Sequence, residues 1–343
     1  MLKISFYSYK GGSGRSTTAW NTIQRLVEIM DPTVKEPFVI VDTDVESAGS
    51  TFLYNAEKLF NSDRKYWSVQ KRMTDSDDTN YFEASDSEKE NFFKGMHPVG
   101  IFFGLPEDKK AAVLLIGANL HRESAKAADV SGDSDNKEQI KNFRKNIMKA
   151  SKDCGAKALF FDTPSGTQFL ARKSIEESEI VVCCMRPTSQ FREGTRRQLI
   201  DFIQTDVRTN KKRKYILTPT AVCVDSGQKF IFNGEECVYP ETAKDIIKRE
   251  FGTENMQDGD DDFRQVFGDN VILDMLKPTP AEMKKYPNSD DNDSVFGIPE
   301  IKRFKWFEAC LGKLPEDELS SNDKMAIHRY EYLAQTILKY CNP

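Results

Sequence analysis

Residues 10–17, Lys10-Gly11-Gly12-Ser13-Gly14-Arg15-Ser16-Thr17, bring glycines, hydroxyls and two positive charges into one short stretch. Glycine lets a backbone turn into left-handed conformations and approach a ligand closely. Consecutive amide N–H groups in such a loop, followed by a helix N-terminus, make a cradle for phosphate oxygens. Ser16 is placed to bind Mg²⁺, with Thr17 next to it on the helix. The common phosphate-loop pattern GxxxxGK[ST] has lysine where this chain has Arg15. Lysine is a compact point charge, whereas arginine is a planar fork of five donors. Arg15 could grip the β/γ-phosphates bidentately, or misplace the γ-phosphate and slow hydrolysis.

The elements around this loop are those that would position it. Leu2, Ile4 and Phe6 alternate as a strand does. Beyond the loop, Ala19, Ile23, Leu26, Val27 and Met30 form one apolar helix face, ended by Asp31-Pro32. Phe38–Val41 is a short buried-strand run, and further strands are expected at Val113–Ile116, Ala158–Phe161, Ile180–Cys184 and Tyr215–Leu217. Helical patterns lie between them, around Ile140–Met148 and Leu199–Ile203. This alternation predicts an α/β fold with a doubly wound, mostly parallel sheet covered by helices on both faces. Approximately residues 58–98 and 252–294 break the alternation and carry acidic runs such as Asp258-Gly259-Asp260-Asp261-Asp262. Both read as insertions, mobile at their acidic tips, and neither has the spacing of a calcium loop.

Three blocks in this order resemble the ParA/MinD family of deviant Walker A ATPases. Lys10-Gly11-Gly12-Ser13-Gly14-Arg15-Ser16-Thr17 is similar to KGGxGK[ST], in the variant with arginine for the second lysine. Val39-Ile40-Val41-Asp42-Thr43-Asp44 resembles the switch I segment, and Ala158–Gly166, with Asp162-Thr163-Pro164, the Walker B and switch II segment. The resemblance spans most of the chain outside the insertions and implies a single P-loop ATPase domain over 1–343. It implies ATP and Mg²⁺ as cofactors, with Gly11, Gly12, Ser13, Gly14, Arg15, Ser16 and Thr17 holding nucleotide and Ser16, Asp42 and Asp162 near the metal. Asp44 is the candidate for orienting the attacking water, and Lys10 for reaching the phosphates of the facing subunit in an ATP-sandwiched homodimer. Pro187, Thr218 and Pro219 fall where members contact the base; Thr218 replaces a common asparagine. No guanine-reading NKxD block is present, so adenine is preferred.

The family's uses divide by further features. Cys183-Cys184 lies in an apolar strand and reads as core rather than as cluster ligands, and Tyr330, Tyr332 and Tyr340 sit in a patterned helix rather than a tyrosine-rich tail. The end of the chain is too short and weakly basic for an amphipathic membrane anchor. Asn210-Lys211-Lys212-Arg213-Lys214 is the one dense basic run, a candidate for non-specific DNA phosphate contacts or a solvated lead-in to a strand. With 343 residues, a net charge of −5, 30% charged and 38% hydrophobic residues, the chain is not a wholly basic nucleic-acid binder. Mean hydropathy is −0.58, seven cysteines lack any CxxC, and no window approaches the roughly 18 apolar residues of a membrane span. A cytoplasmic ATPase that recruits an unknown protein partner is expected. The alternative is a nucleotide-binding regulatory module that scarcely hydrolyses ATP because of Arg15.

Overall fold

The computed structural model describes residues 1–60, 66–74, 95–119, 137–222, 229–232, 235–238, 244, 247, 250–251, 267–277, 279, 296–305 and 310–341. Its strands are β1 (Leu2–Tyr7), β2 (Phe38–Asp42), β3 (His97–Pro98), β4 (Val113–Ile116), β5 (Ala158–Asp162), β6 (Ile180–Met185), β7 (Lys214–Pro219), β8 (Lys229–Phe232), β9 (Glu235–Val238) and β10 (Val271–Ile272). Eight of them form one sheet in the order β10-β7-β6-β1-β5-β2-β4-β3, and β8 and β9 form a hairpin sheet of their own. β1, β2, β4 and β5 pair in parallel, as do β7 and β10, while β3 runs antiparallel to β4. The doubly wound, mostly parallel sheet expected from sequence is the fold observed.

The chain divides into two compact units, one of residues 1–8, 15–181 and 308–314, the other of residues 9–14, 182–307 and 315–343. In the first, helices α1 (Arg15–Met30), α2 (Gly49–Leu53), α3 (Glu57–Phe60), α4 (Val69–Thr74), α5 (Lys137–Asn142), α6 (Ala150–Asp153) and α7 (Phe169–Glu177) accompany β1 to β5. Every residue of β2 and β5 is buried, which is why both read as continuous apolar runs rather than alternating ones. Val39, Val41, Leu159 and Phe161 pack with Val69, Met73, Met96, Phe143 and Ile147 in one core cluster. Between α5 and α6 the helix widens into a π-segment, Phe143–Lys149. It is laced to α4 by Arg72 Nη1 donating to the Asn146 carbonyl (3.1 Å), Asn146 Nδ2 to the Arg72 carbonyl (2.8 Å) and Asn142 Nδ2 to the Met73 carbonyl (2.8 Å).

In the second unit, α8 (Ser189–Thr209) and α9 (Ser321–Cys341) accompany β6, β7 and β10. β6 is buried throughout, Cys183 and Cys184 included, and Tyr330 is buried on α9, both as expected. Within 58–98, Phe60, Tyr66, Val69, Met73 and Met96 are buried, and β3 lies on the sheet edge. Within 252–294, β10 is a sheet strand and Met275 and Leu276 are buried beside it. Both stretches therefore supply core, and the apolar residues between their acidic runs are the reason. The acidic tips themselves, 75–78, 85–88, 258–262 and 290–293, lie outside the described residues.

Candidate functional site

The carboxylates at the strand ends come together by register. β2 and β5 pair so that Asp42 stands directly opposite Asp162, and both are buried. Asp42 accepts from the Thr51 backbone N–H and Oγ1, each at 2.7 Å on Oδ2, and from the Asp44 N–H at 3.3 Å on Oδ1. Burial, and then the neighbouring Asp162, raise its pKa well above the ordinary carboxylate value, although the Thr51 hydrogen bonds oppose the shift. Asp44, two residues on, is 7% exposed and takes the Ser47 hydroxyl at 2.6 Å and N–H at 3.2 Å.

Arg15, the first residue of α1, is not directed outward but turned into this cluster and 7% exposed. Its Nε donates to Asp162 Oδ1 at 2.6 Å and its Nη2 to Asp44 Oδ2 at 2.7 Å, with Ser8 Oγ 3.5 Å from Nη1. Burial alone would favour the neutral form, yet Asp162 and Asp44 together hold the guanidinium charged and raise its pKa. The remaining Asp162 oxygen, Oδ2, accepts from Ser50 Oγ at 2.7 Å. All six oxygens of Asp42, Asp44 and Asp162 thus already receive a donor from this chain.

Ser16 is half-buried beside the same group: a Cβ placed on Gly49 would lie 2.5 Å from Ser16 Oγ and 3.6 Å from Asp162 Oδ2. A side chain at Gly49 would therefore press on Ser16. Thr17 is buried at the start of α1. Ser47, Ser50 and Thr51 escape sequence reasoning; their one signal is the hydroxyls scattered through residues 45–51, after Asp42-Thr43-Asp44.

The loop before α1 belongs to the second unit. Gly12 (φ 77°) and Gly14 (φ 74°) occupy the left-handed region, and a Cβ on Gly11, Gly12 or Gly14 would meet nothing within 4 Å. Arg186 Nε donates to the Gly12 carbonyl at 2.8 Å and Thr220 Oγ1 to the Ser13 carbonyl at 2.5 Å. In trans peptides the following N–H points opposite to its carbonyl, so the Ser13 and Gly14 amides face away from those two side chains. Lys10 is exposed, donates to Gln190 Oε1 at 2.6 Å and lies 6.0 Å from the Phe191 ring centroid. Tyr9, Lys10, Gln190, Glu193, Gly194 and Arg197 line a cavity of about 400 Å³.

Other expected positions fare differently. The Pro187 carbonyl accepts from Arg192 Nη1 at 2.5 Å, and the Pro219 carbonyl from the Ile298 N–H at 2.8 Å. Thr218, expected near the base, is fully buried, and its hydroxyl donates to the Ile216 carbonyl of its own strand at 3.2 Å. The basic run is corrected as a single patch. Arg213, just before β7, is buried and bonded to Asp206 and to Tyr215 Oη, because a buried charge needs a counter-ion. Lys214 Nζ donates to the Asp269 carbonyl at 2.6 Å, which leaves Lys211 and Lys212 as the exposed members of the run.

No family model matches this chain, and no curated protein does. Solved structures match in fold. The Pyrococcus furiosus cell division ATPase MinD superposes with a TM-score of 0.52 at 14% identity, over 98% of this chain and 99% of that one. A Cyanothece McdA variant in complex with ATP gives 0.52 at 10% identity, over 99% and 96%. MinD in the Aquifex aeolicus MinC:MinD cell division protein complex gives 0.50 at 11%, over 99% and 96%. The fold is that of MinD and ParA-like proteins across nearly the whole chain.

Proposed function

We propose that this chain binds ATP on residues 10–17 and uses it to pass from monomer to homodimer, a switch that recruits a protein partner. The observation that carries the reading is the pair of left-handed glycines, Gly12 and Gly14, between the first strand and first helix of a parallel sheet. The C-terminal ends of such strands are where α/β proteins bind ligands. An ATP complex and a protein–protein complex among the fold neighbours support the same reading. Lys10 is the residue expected to reach the partner's phosphates, and Asp44 the one expected to orient water.

The test is sizing by light scattering with and without saturating ATP, alongside direct nucleotide binding. The parent should bind ATP and double its mass, and Lys10→Ala should bind as a monomer. A parent that binds no ATP overturns the reading, and a Lys10→Ala protein that still dimerises removes the facing-subunit role.

The residues as arranged do not fit Mg²⁺. Magnesium is drawn to anionic oxygens, and one guanidinium already sits on an oxygen of Asp44 and an oxygen of Asp162, with hydroxyl or backbone donors on the other oxygens of the cluster. This favours the second reading, a nucleotide-binding regulatory module with little turnover, because Asp44 is committed to Arg15 and Ser47 rather than open to water. An ATP turnover assay separates the two. Non-specific DNA remains a proposal on Lys211 and Lys212, the exposed lysines of the basic run.

A further inference from the structure

We propose that Arg15 is the resident cation of the carboxylate cluster: it neutralises Asp44 and Asp162 from within and holds divalent metal off them in the free protein. The two ion pairs, 2.6 Å to Asp162 and 2.7 Å to Asp44, come from different nitrogens of one planar fork. A guanidinium spans two carboxylates in this way, whereas the compact ammonium of a lysine acts as a point charge. Arg15 side-chain exposure is 8%, that of Asp162 1% and that of Asp44 10%, so solvent does not screen the group. Ser50, Ser47 and Thr51 complete the donor set around the same oxygens. A metal ion would have to displace both a charge and hydroxyl donors. The sequence deviation at this position therefore changes which cation the site holds, rather than only the shape of a phosphate contact. This inference does not rest on nucleotide binding.

The probe is Mn²⁺ alone, followed by the electron paramagnetic resonance of the free ion in the full-length protein. Asp162→Asn serves as the reference, because an acidic chain binds Mn²⁺ weakly elsewhere. The parent should match Asp162→Asn. Arg15→Gln, which keeps a polar side chain and removes the charge, should gain one site at least about tenfold tighter, equivalent to about 1.4 kcal/mol. That gain should vanish in Arg15→Gln combined with Asp162→Asn. Arg15→Lys, which keeps the charge but loses the fork, should fall between parent and Arg15→Gln. One Mn²⁺ bound by the parent and lost in Asp162→Asn overturns the proposal whether or not Arg15→Gln folds. So does a folded Arg15→Gln protein with no added site. ATP binding measured on the same proteins reports separately on the proposed function.

Discussion

A single guanidinium decides the electrostatics at residue scale. Removing one partner from a buried ion pair leaves the other charge uncompensated and costs about 3–5 kcal/mol. Arg15→Gln should therefore lower stability in urea by about 3 kcal/mol, and the cost should shrink when Asp162→Asn is added, since that removes the orphaned charge. Asp42 carries a second expectation. Its pKa is raised in the folded state, so the folded chain holds a proton that the unfolded chain releases near pH 4. Stability should then fall as pH rises from that value through the folded-state pKa. Asp42→Asn should flatten this slope in thermal melts taken across the range; an unchanged slope would place the titration elsewhere. Asp42 and Asp162 were legible in the sequence because each ends an apolar run, and Asp44 because it follows Asp42 by two residues. The direction of Arg15 was not, since a motif fixes where a side chain starts and not which charge it meets.

The loop and the strands it joins behave as one element. Alanine at Gly12 would hold a left-handed conformation costing about 1–2 kcal/mol, with no steric clash added. Gly12→Ala should thus cost only that in stability, while ATP affinity should drop further if the loop cradles phosphate. Calorimetry of unfolding and of ATP binding on the same protein separates the two effects. Strand existence was readable throughout: all six strands read from sequence appear, the first from alternation and the other five because buried parallel strands carry unbroken hydrophobic sequence. Less legible was the core that 58–98 and 252–294 supply. Acidic runs dominate their composition, and two-residue strands such as β3 and β10 are too short to show a period. Motif position likewise does not show that the Thr218 hydroxyl bonds within its own strand.

For the whole molecule, net charge and patch size bound what it can hold at long range. With Lys211 and Lys212 the exposed members of the basic run, any DNA retention should show a log–log salt slope of about −2, from about −0.9 per phosphate neutralised. A slope of −5 or steeper in a filter-binding series would point to a larger surface. Among the described residues no helix is long and apolar enough to cross a membrane. The π-segment at Phe143–Lys149 has a consequence best put in terms of chain length. A turn that closes five residues back instead of four holds one residue more than an α-helix needs for the same rise. The stretch behaves as a helix with a surplus member, so its tolerance to deletion should differ from its tolerance to substitution. Removing exposed Arg144 would let the α-period resume, but would also rotate Asn142 and Phe143 relative to Asn146 and Ile147. The hydrogen bonds from Asn142 to Met73 and between Asn146 and Arg72 could not then both form. A deletion mutant should consequently melt lower than Arg144→Ala, and a related chain that is one residue shorter here would need a differently placed α4.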